Sequence, residues 1–357
     1  MARSKKHTCL HYTGYAEDGG GIHALVRNLQ GAQRFGVILG GARGLQMASP
    51  AGPKVWRGPQ VQGERISVRN AVRAFVVAWR IRRWLHRGNG RIFHGHSRAG
   101  LLVGLWLYFL GERRIVVSVH CYGRQRWFYR WAARRLGTQL YWLSPAMRSY
   151  YAMPGTDWEQ CVPGCVPGCV PRVTPVTRQP APGQLRLGGA GGLVRFKRWE
   201  QIIEAIGQLP VAQRNCVSFV HIGSGETDYL RELETLAKTK QLDGRVRFRG
   251  AEPSAAGLLR EIDALVVASR NEAFSIAMLE ALAAGVPVLA AGSGGAADII
   301  RPEINGALYR DGDPGALAHL ISAWLIDPPR FDPVKICGSA IYCDEIAARW
   351  EQIYRRL

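Results

Sequence analysis

The fold can be inferred from the segment Ser269-Arg270-Asn271-Glu272-Ala273-Phe274-Ser275-Ile276-Ala277-Met278-Leu279-Glu280. An apolar run at residues 264–268 comes before it and predicts a buried strand. Residues 278–284 predict a helix that ends at Gly285. The first backbone N–H groups of a helix have no partners inside the helix, and the helix dipole adds positive charge at that end. We therefore expect the amides of residues 274–277 to bind a phosphate group.

Two carboxylates accompany this predicted phosphate site. Glu272 precedes the helix and Glu280 lies more than one turn inside it, so the two cannot share a proton. A carboxylate accepts two hydrogen bonds from adjacent hydroxyl groups, such as those of a sugar or a ribose. Two glutamates at this spacing also occur by chance on an amphipathic helix. The order strand, loop, helix, Gly-Val-Pro, strand and Gly-Gly loop favours two contacts to one long ligand.

Strand and helix patterns alternate outward from this stretch. In the second half the predicted strands are residues 185–187, 217–222, 246–248, 264–268 and 286–291, and the other predicted helices are residues 199–209 and 229–240. In the first half the predicted strands are residues 7–12, 36–39, 92–93 and 115–120, and helices are predicted from Ile22 onward and over 69–87. The last segment of the chain, residues 341–357, is predicted to be an amphipathic helix. This alternation indicates an α/β protein with parallel sheets covered on both faces.

Length and charge divide the chain into two parts. A chain of 357 residues with 47% hydrophobic and 21% charged residues has the composition of two globular domains and excludes a disordered protein. Residues 1–180 carry 27 basic and 6 acidic side chains, whereas residues 181–357 carry 20 and 21. The basic half should therefore bind something anionic: a membrane surface, a phosphorylated lipid, an acidic glycan or nucleic acid.

Neither a membrane span nor a metal site is predicted. The longest apolar run, residues 101–110, is about half the length that a bilayer requires, and residues 1–10 have no apolar run of signal-peptide length. We therefore expect a cytoplasmic protein. Cys161, Cys165 and Cys169 form a tandem Cys-Val-Pro-Gly repeat that lacks a nearby fourth ligand and the usual zinc spacing. We interpret the repeat as a Pro/Gly-rich connector between domains.

Residues 269–300 resemble the signature of retaining family 4 glycosyltransferases, whose two glutamates are separated by seven residues. Residues 220–225 and 305–317 are similar to neighbouring segments of that family, so the resemblance covers most of residues 185–325. It implies the GT-B fold, in which two Rossmann-like domains with parallel sheets face each other across a cleft. It also implies a UDP- or GDP-sugar donor and transfer with retention of configuration, without a metal ion or another cofactor.

The resemblance assigns roles to residues of the second half. It implies that Glu272 contacts the donor sugar, that Glu280 binds the ribose hydroxyls, and that the amides of Phe274, Ser275 and Ile276 hold the diphosphate. Gly223, in a Gly-Ser-Gly turn, is expected to line the nucleotide pocket. The turn is not a dinucleotide fingerprint, since Asp228 stands at the third glycine.

Residues 192–198 resemble the family's basic loop over the diphosphate. Lys197 falls on the expected lysine, where a cation would offset charge on the leaving diphosphate. Gly192 stands where the family usually has an arginine, and Arg195 or Arg198 are candidates to replace it. A solvated basic loop without a ligand is the alternative interpretation.

The first half carries fewer motifs. Gly20 and Gly21 match the family's glycine loop before the first helix and are expected to approach the donor, although a plain strand–helix turn explains them equally well. By resemblance, His120 is the family's histidine near the transferred sugar. His94 and His96 also lie at a strand end, where open α/β sheets place ligands. We expect them to be hydrogen-bonded structural histidines rather than metal ligands.

Residues 124–135 mix arginines with Trp127, Phe128, Tyr129 and Trp131. Such a helix suits a membrane interface or nucleic acid, or is half-buried with its arginines in water. A second arginine-rich helix at residues 69–87 favours an anionic or lipid-linked acceptor, such as a glycan of the cell envelope, and peripheral attachment to the inner face of the plasma membrane. No nucleic-acid partner is expected.

Together these patterns predict an acceptor domain at residues 1–172, a linker at 173–182 and a nucleotide-sugar domain at 183–335. Residues 336–357 are expected to cross back to the first domain, with Trp350 and Tyr354 on one face of a helix. Two alternatives stay open. One is a nucleotide-sugar epimerase or hydrolase of the same fold, and the other is a non-catalytic protein that binds anions or a membrane.

Overall fold

The computed structural model describes residues 8–13, 21–32, 36–41, 55–57, 61, 66–154, 160–166, 183–270 and 272–357. The chain forms two compact units. The first consists of Met1–Pro167 and Tyr342–Leu357, and the second of Gly168–Ile341. The return to the first unit therefore begins at Tyr342, six positions later than expected from the sequence. The predicted linker at residues 173–182 lies outside the described residues.

The first unit contains a parallel sheet of six described strands in the order β3-β2-β1-β4-β5-β6. Its elements up to residue 150 are β1 (Thr8–Tyr12), α1 (Gly21–Ala32), β2 (Gly36–Gly41), β3 (Val55–Arg57), α2 (Val68–His86), β4 (Arg91–His96), α3 (Ser97–Phe109), β5 (Ile115–Val119), α4 (Arg126–Leu136), β6 (Leu140–Trp142) and α5 (Pro145–Tyr150). β1 and β4 are neighbours in the sheet although they are not consecutive in the sequence, and the strand order reverses between them. Open α/β sheets bind ligands at such a point, beyond the carboxyl ends of the strands.

The second unit repeats this topology. Its elements are β7 (Leu185–Ala190), α6 (Trp199–Gln208), α7 (Val211–Arg214), β8 (Val217–Ile222), α8 (Thr227–Thr239), β9 (Val246–Phe248), α9 (Ala256–Glu261), β10 (Ala264–Val267), α10 (Ile276–Ala283), β11 (Val288–Ala291), α11 (Ala296–Ile299), β12 (Gly306–Tyr309), α12 (Pro314–Ile326) and α13 (Pro333–Cys337). The strand order is β12-β11-β10-β7-β8-β9, which is the order of the first sheet when strands are numbered within each unit. The prediction of two Rossmann-like parallel sheets is confirmed.

The core of the second unit follows from the helical spacing of its apolar residues. Ile202, Ile203 and Ile206 of α6 are fully buried, and they pack with Leu185 and Leu187 of β7 in one hydrophobic cluster. Complete burial of such a side chain stabilises the fold by about 1.5–3 kcal/mol. This packing holds β7 against α6 and so positions the loop that follows β7.

The last helix, α14 (Cys343–Arg355), belongs to the first unit and packs against α1. Trp350 and Tyr354 are both buried and stack on each other, with ring centroids 6.0 Å apart. The Trp350 ring lies 4.5 Å from the ring of His94 in β4. The Tyr354 hydroxyl lies 2.6 Å from His94 Nδ1. One face of α14 is thus fixed to the centre of the first sheet.

The interpretation of the cysteine repeat as a connector is wrong for residues 161–166. Cys161 and Cys165 are fully buried, and Val162 N donates to Trp142 O at 2.8 Å, so this segment extends the sheet edge beyond β6. Cys165 Sγ lies 2.7 Å from Cys343 Sγ in α14. Each repeat places an apolar Cys-Val pair at residues 161–162 and 165–166, and these pairs are buried. Cys169 lies outside the described residues.

Among the helices that the structure describes, none combines the length and the apolar character needed to cross a membrane.

Candidate functional site

The amino end of α10 has the predicted geometry of an anion site. Ser275 caps the helix, and its Oγ accepts a hydrogen bond from Met278 N at 3.3 Å. Leu279 N donates to Ser275 O. Within the described part of the chain, no acceptor is found for the amides of Phe274, Ser275, Ile276 and Ala277. These amides, at the positive end of the helix dipole, can bind an anion.

Glu272 and Lys197 meet beside this helix end. Lys197 Nζ lies 2.5 Å from Glu272 Oε2, and the two side chains are only 15% and 13% exposed. The backbone joins the same two loops, because Arg270 N donates to Phe196 O at 3.0 Å. Residues 75 positions apart in the sequence are thus brought together. Glu280, inside α10, is half-buried, and burial raises the pKa of its carboxyl group.

The two arginines of the basic loop pair with acidic side chains other than Glu272. Arg195 Nη2 lies 2.6 Å from Glu232 Oε1 of α8, and its guanidinium stacks 5.1 Å above the Tyr229 ring. Arg198 Nη1 lies 2.9 Å from Asp311 Oδ1. Of the three cations in residues 195–198, Lys197 is therefore the one paired with Glu272. That one of the two arginines replaces the family's cation at Gly192 stays a prediction.

Backbone contacts from the Gly223 turn hold the basic loop in place. Leu193 N donates to Ser224 O at 2.9 Å, and Glu226 N donates to Leu193 O at 3.0 Å. Gly223 has φ +133°, and a Cβ there would overlap the carbonyl oxygen of Gly191. The turn predicted from the sequence thus acts as a support for the loop, and only glycine allows this close approach.

Two aromatic side chains that the sequence patterns did not indicate make hydrogen bonds to backbone carbonyl groups at the start of the basic loop. Trp199 Nε1 donates to Gly192 O at 3.0 Å, and His221 Nε2 lies 3.0 Å from Gly191 O. The two rings pack 4.5 Å apart. Burial lowers the pKa of His221 to about 4, so its ring is neutral near neutral pH.

The loop that carries Glu272 rests on glycines after β11. Gly295 N donates to Glu272 O at 2.9 Å. A Cβ on Gly294, which has φ +61°, would overlap that same oxygen, and a Cβ on Gly295 would overlap the oxygen of Ala273. Any side chain here must displace the Glu272 loop.

Four histidines of the first unit lie together at the carboxyl ends of β1, β4 and β5: His11, His94, His96 and His120. His120 Nε2 lies 2.9 Å from His96 Nδ1, and His96 Nε2 lies 2.9 Å from His11 Nδ1. His94 lies 2.6 Å from the Tyr354 hydroxyl and 2.7 Å from Ser118 Oγ. Burial lowers the pKa of His120 to about 3 and that of His94 well below its usual value.

The same region contains a set of potential metal ligands, Cys9, His11 and His94, whose ligand atoms lie within 4.8 Å of one another. Both ring nitrogens of His94 are at hydrogen-bonding distance from hydroxyl groups. A metal ion bound by His94 must displace one of these hydroxyls, so the group fits a hydrogen-bond network better. The expected absence of a metal stays a prediction.

A cavity of about 580 Å³ lies beyond the carboxyl ends of β4 and β5. Tyr151 shapes the loop above it, because its hydroxyl accepts from Gly123 N at 2.5 Å and donates to Cys121 O at 2.7 Å. No acidic residue is among the described residues that line the cavity. The polar and aromatic side chains of the lining come from Arg98, Tyr122, Arg124, Gln125, Trp127 and Tyr129.

The predicted site residues thus divide between the two units. Lys197 and Glu272 are in contact in the second unit, beside the free amides of α10, whereas His120 belongs to the first unit. Gly21 begins α1, and Gly20 lies outside the described residues. The sequence missed the role of His11 and His96 as neighbours of His120. The histidines at alternating positions in β4 are the signal that pointed to this cluster.

The second unit matches a known protein family. Residues 183–337 match the model of the family described as "Glycosyl transferases group 1". The match covers most of the second unit. A D-inositol 3-phosphate glycosyltransferase of Catenulispora acidiphila is 35% identical to this chain over 156 residues, which are 41% of this chain and 37% of that protein. The lipopolysaccharide 1,6-galactosyltransferase of Escherichia coli is 26% identical over 153 residues, 42% of each chain. The chain thus spans about two fifths of these relatives.

Solved structures resemble this chain over nearly its whole length. Anabaena HepE, crystallised with UDP and glucose, superposes with a TM-score of 0.72 at 17% identity, over 98% of this chain and 100% of HepE. The sucrose-phosphate synthase of Thermosynechococcus elongatus gives a TM-score of 0.71 at 18% identity, over 99% of each chain. The predicted GT-B fold is thereby confirmed.

Proposed function

We propose that the protein is a retaining glycosyltransferase that moves a sugar from a UDP- or GDP-sugar to a hydroxyl group of an acceptor, without a metal ion or another cofactor. The observation that carries the proposal is the contact between Lys197 and Glu272 beside the free amides of α10. The match of residues 183–337 to the glycosyl transferase family supports it. The UDP-glucose bound in HepE supports a uridine donor as the first choice to test.

In this proposal, each group of the site takes one part of the donor. The amides of Phe274, Ser275 and Ile276 bind the diphosphate, and Lys197 offsets the charge that develops on it as it leaves. A lysine ammonium has three N–H donors, so Lys197 can hold Glu272 and a phosphate oxygen at the same time. Glu272 then accepts hydrogen bonds from the sugar hydroxyls.

The remaining groups complete the proposed reaction. Glu280 binds the ribose hydroxyls, with Gly223, Gly20 and Gly21 close to the donor. The acceptor hydroxyl attacks from the face that the diphosphate leaves, and a leaving phosphate oxygen takes its proton. This accounts for retention. His120 is neutral because burial lowers its pKa, and it orients the transferred sugar or stabilises its developing charge.

Pairs of variants test the donor site. Glu272→Gln and Lys197→Met should each abolish sugar transfer while melting temperatures stay near that of the wild type. Arg231→Gln, at an exposed ion pair in α8, is the matched control and should be fully active. A thermal-shift screen of UDP- and GDP-sugars selects the donor for the assay. Wild-type rates in either site variant would contradict the assignment.

Product analysis separates this proposal from its two alternatives. Proton NMR of the products reports the anomeric configuration, which should be that of the donor sugar. An altered free sugar, or free sugar at the same rate without an acceptor, would indicate an epimerase or a hydrolase. No binding of any nucleotide sugar by calorimetry would indicate a non-catalytic protein.

We also propose that the acceptor carries an anionic group, such as a phosphate or a carboxylate, as in a lipid-linked or acidic glycan. The cavity beyond β4 and β5 supports this, because Arg98 and Arg124 line it together with aromatic rings that can stack on a sugar. Arg124→Ala should raise the KM for a phosphorylated acceptor and leave calorimetric binding of the donor unchanged. An unchanged KM would argue against this acceptor class.

Peripheral attachment to an anionic membrane is proposed for the face formed by α2, α3 and α4. Aromatic rings continue across these helices, with centroids 5.1 Å apart for Phe75 and Trp106, 6.3 Å for Trp106 and Phe109, and 6.0 Å for Phe109 and Trp131. Trp127 is 65% exposed. The three helices contain no acidic residue, and α2 and α4 are rich in arginine. Exposed aromatic rings beside arginines suit an anionic lipid surface.

Co-sedimentation with vesicles tests this attachment. The protein should bind vesicles that contain phosphatidylglycerol and should not bind pure phosphatidylcholine vesicles, and Trp127→Ala should weaken the binding. Equal binding to both kinds of vesicle would contradict the proposal.

A further inference from the structure

Three imidazole rings form a continuous line of nitrogen–nitrogen contacts in the first unit. His11 Nδ1 lies 2.9 Å from His96 Nε2, and His96 Nδ1 lies 2.9 Å from His120 Nε2. The three residues come from neighbouring strands, β1, β4 and the end of β5, and all three are buried. We call His11, His96 and His120 the histidine line.

A count of protons shows what this line requires. A neutral imidazole has one N–H donor and one nitrogen lone pair. His96 uses both of its nitrogens in the line, so it must donate through one and accept through the other. If His96 Nδ1 donates to His120 Nε2, the proton of His120 is on Nδ1, and if the line runs the other way it is on Nε2. The tautomers of the three rings are therefore tied to one another.

The surroundings hold the middle ring in its plane. The His94 ring stacks on the His96 ring with centroids 4.1 Å apart. His94 is itself fixed by the Tyr354 hydroxyl on one side and by Ser118 Oγ on the other. His96 thus cannot rotate without disturbing α14 and β5.

His120 lies at one end of the histidine line, and only one of its two ring nitrogens takes part in the line. Among the described residues, its Nδ1 has no hydrogen-bond partner, while its Nε2 is engaged by His96. His120 also follows directly on β5, at the edge of the sheet where ligands of such folds bind. The nitrogen that remains for a ligand is therefore Nδ1, and its protonation depends on the rest of the line.

We propose that His96 is a positioning residue which, together with His11, holds His120 in one orientation and one tautomer. His120 Nδ1 is then presented to the transferred sugar either as a fixed donor or as a fixed acceptor. This last step rests on the proposed glycosyltransferase function, whereas the fixed tautomer is a property of the protein alone.

Two substitutions of His96 separate its two contacts. The amide of Asn lies close to the position of histidine Nδ1, and the amide of Gln reaches close to the position of Nε2. His96→Asn therefore keeps a partner for His120, whereas His96→Gln keeps a partner for His11 only. We expect kcat to fall about tenfold or more in His96→Gln and to stay within a few-fold of the wild type in His96→Asn. The KM for the donor should be unchanged in both.

Nitrogen-15 NMR of histidine-labelled full-length protein reads the tautomer without any substrate. The His120→Ala variant assigns the signals of His120 among the nine histidines. His120 should occupy a single tautomer in the wild type. It should occupy a mixture in His96→Gln and also in His96→Asn, because the Asn amide has no contact with His11 and can present either its oxygen or its NH2 group to His120 Nε2. A mixture in the wild type, or one tautomer in all three proteins, would overturn the proposal.

The other end of the line provides a second test, which serves if His96→Gln does not fold. His11→Asn keeps an amide near Nδ1 and should leave His120 in one tautomer, whereas His11→Phe should not. If the tautomers behave as expected but the wild type transfers no sugar, the proposed function fails while the histidine line stands. If transfer occurs but the tautomers are mixed, the histidine line fails alone.

Discussion

Replacing Tyr354 by Phe removes one hydroxyl group from the buried face of α14. That hydroxyl lies 2.6 Å from His94 Nδ1 and also bonds the Cys9 thiol. Phe keeps the ring packing and takes this partner away from two buried groups. A buried polar group left without its partner costs about 1–3 kcal/mol. We expect the free energy of unfolding of the first unit to fall by about that amount.

Differential scanning calorimetry measures this loss. For a unit of this size, each kcal/mol lowers the Tm by about 2–4 °C, so the transition of the first unit should move down by about 2–12 °C. Tyr309→Phe is the matched control, because the described residues offer its buried hydroxyl no hydrogen-bond partner. That variant should not lower the Tm of the second unit. An unchanged Tm in Tyr354→Phe would refute the contribution of the hydrogen bond, and equal losses in both variants would show that it is not specific to this contact.

Three further predictions concern stability and the donor site. Asp263→Ala removes a buried carboxylate that accepts three hydrogen bonds from Arg186; the second unit should lose about 3–5 kcal/mol in urea unfolding, and an unchanged midpoint would contradict this. Gly295→Ala should displace the Glu272 loop and weaken donor binding in calorimetry by about tenfold or more, whereas Gly257→Ala in α9, which meets no backbone atom, should bind as the wild type does. Burial lowers the pKa of His120 from 6.5 to about 3, so unfolding takes up a proton between these values. The contribution of His120 is full above about pH 6.5, and below it this residue alone should cost the first unit about 1.4 kcal/mol per pH unit. His94, whose pKa burial also lowers, should add to the loss; a urea midpoint that is constant from about pH 7 to about pH 5 would contradict neutral buried rings.

The second unit was largely predictable because each of its elements keeps its own local pattern. The strands at Val217–Ile222 and Val246–Phe248 have the predicted bounds. The helix α10 begins at Ile276, two residues before the predicted start, because the Ser275 side chain caps it. The cap is a single serine hydroxyl group, so the spacing of apolar residues, from which the helix was predicted, does not reveal where the helix begins.

Two long helices escaped prediction for one physical reason. In α3, apolar residues cover nearly the whole circumference, and nine of its thirteen residues are buried. In α12, apolar residues are also found on all sides. Without a polar face, the sequence has no helical period to detect. The three-residue strands β3 and β6 are too short to show any alternation.

The candidate site was predictable only where a motif is local in sequence. Glu272, Glu280 and the amides of residues 274–277 come from one stretch. The histidine line depends on the register of three strands, with His11 beside His94 and His96 beside Ser118. Register is set by packing across the whole sheet. The ion pairs of Arg195 and Arg198 likewise depend on α8 and on the loop after β12, far from them in sequence.

The place of α14 has a consequence for how the protein is made. Residues 342–357 complete the first unit, but a ribosome translates them only after the whole of the second unit. The first unit therefore lacks its last helix during the time in which the second unit is synthesised. A fragment that stops at residue 167 would leave His94 without Trp350 and Tyr354. Expression of the first unit alone therefore calls for residues 342–357 to be joined to it by a peptide tether.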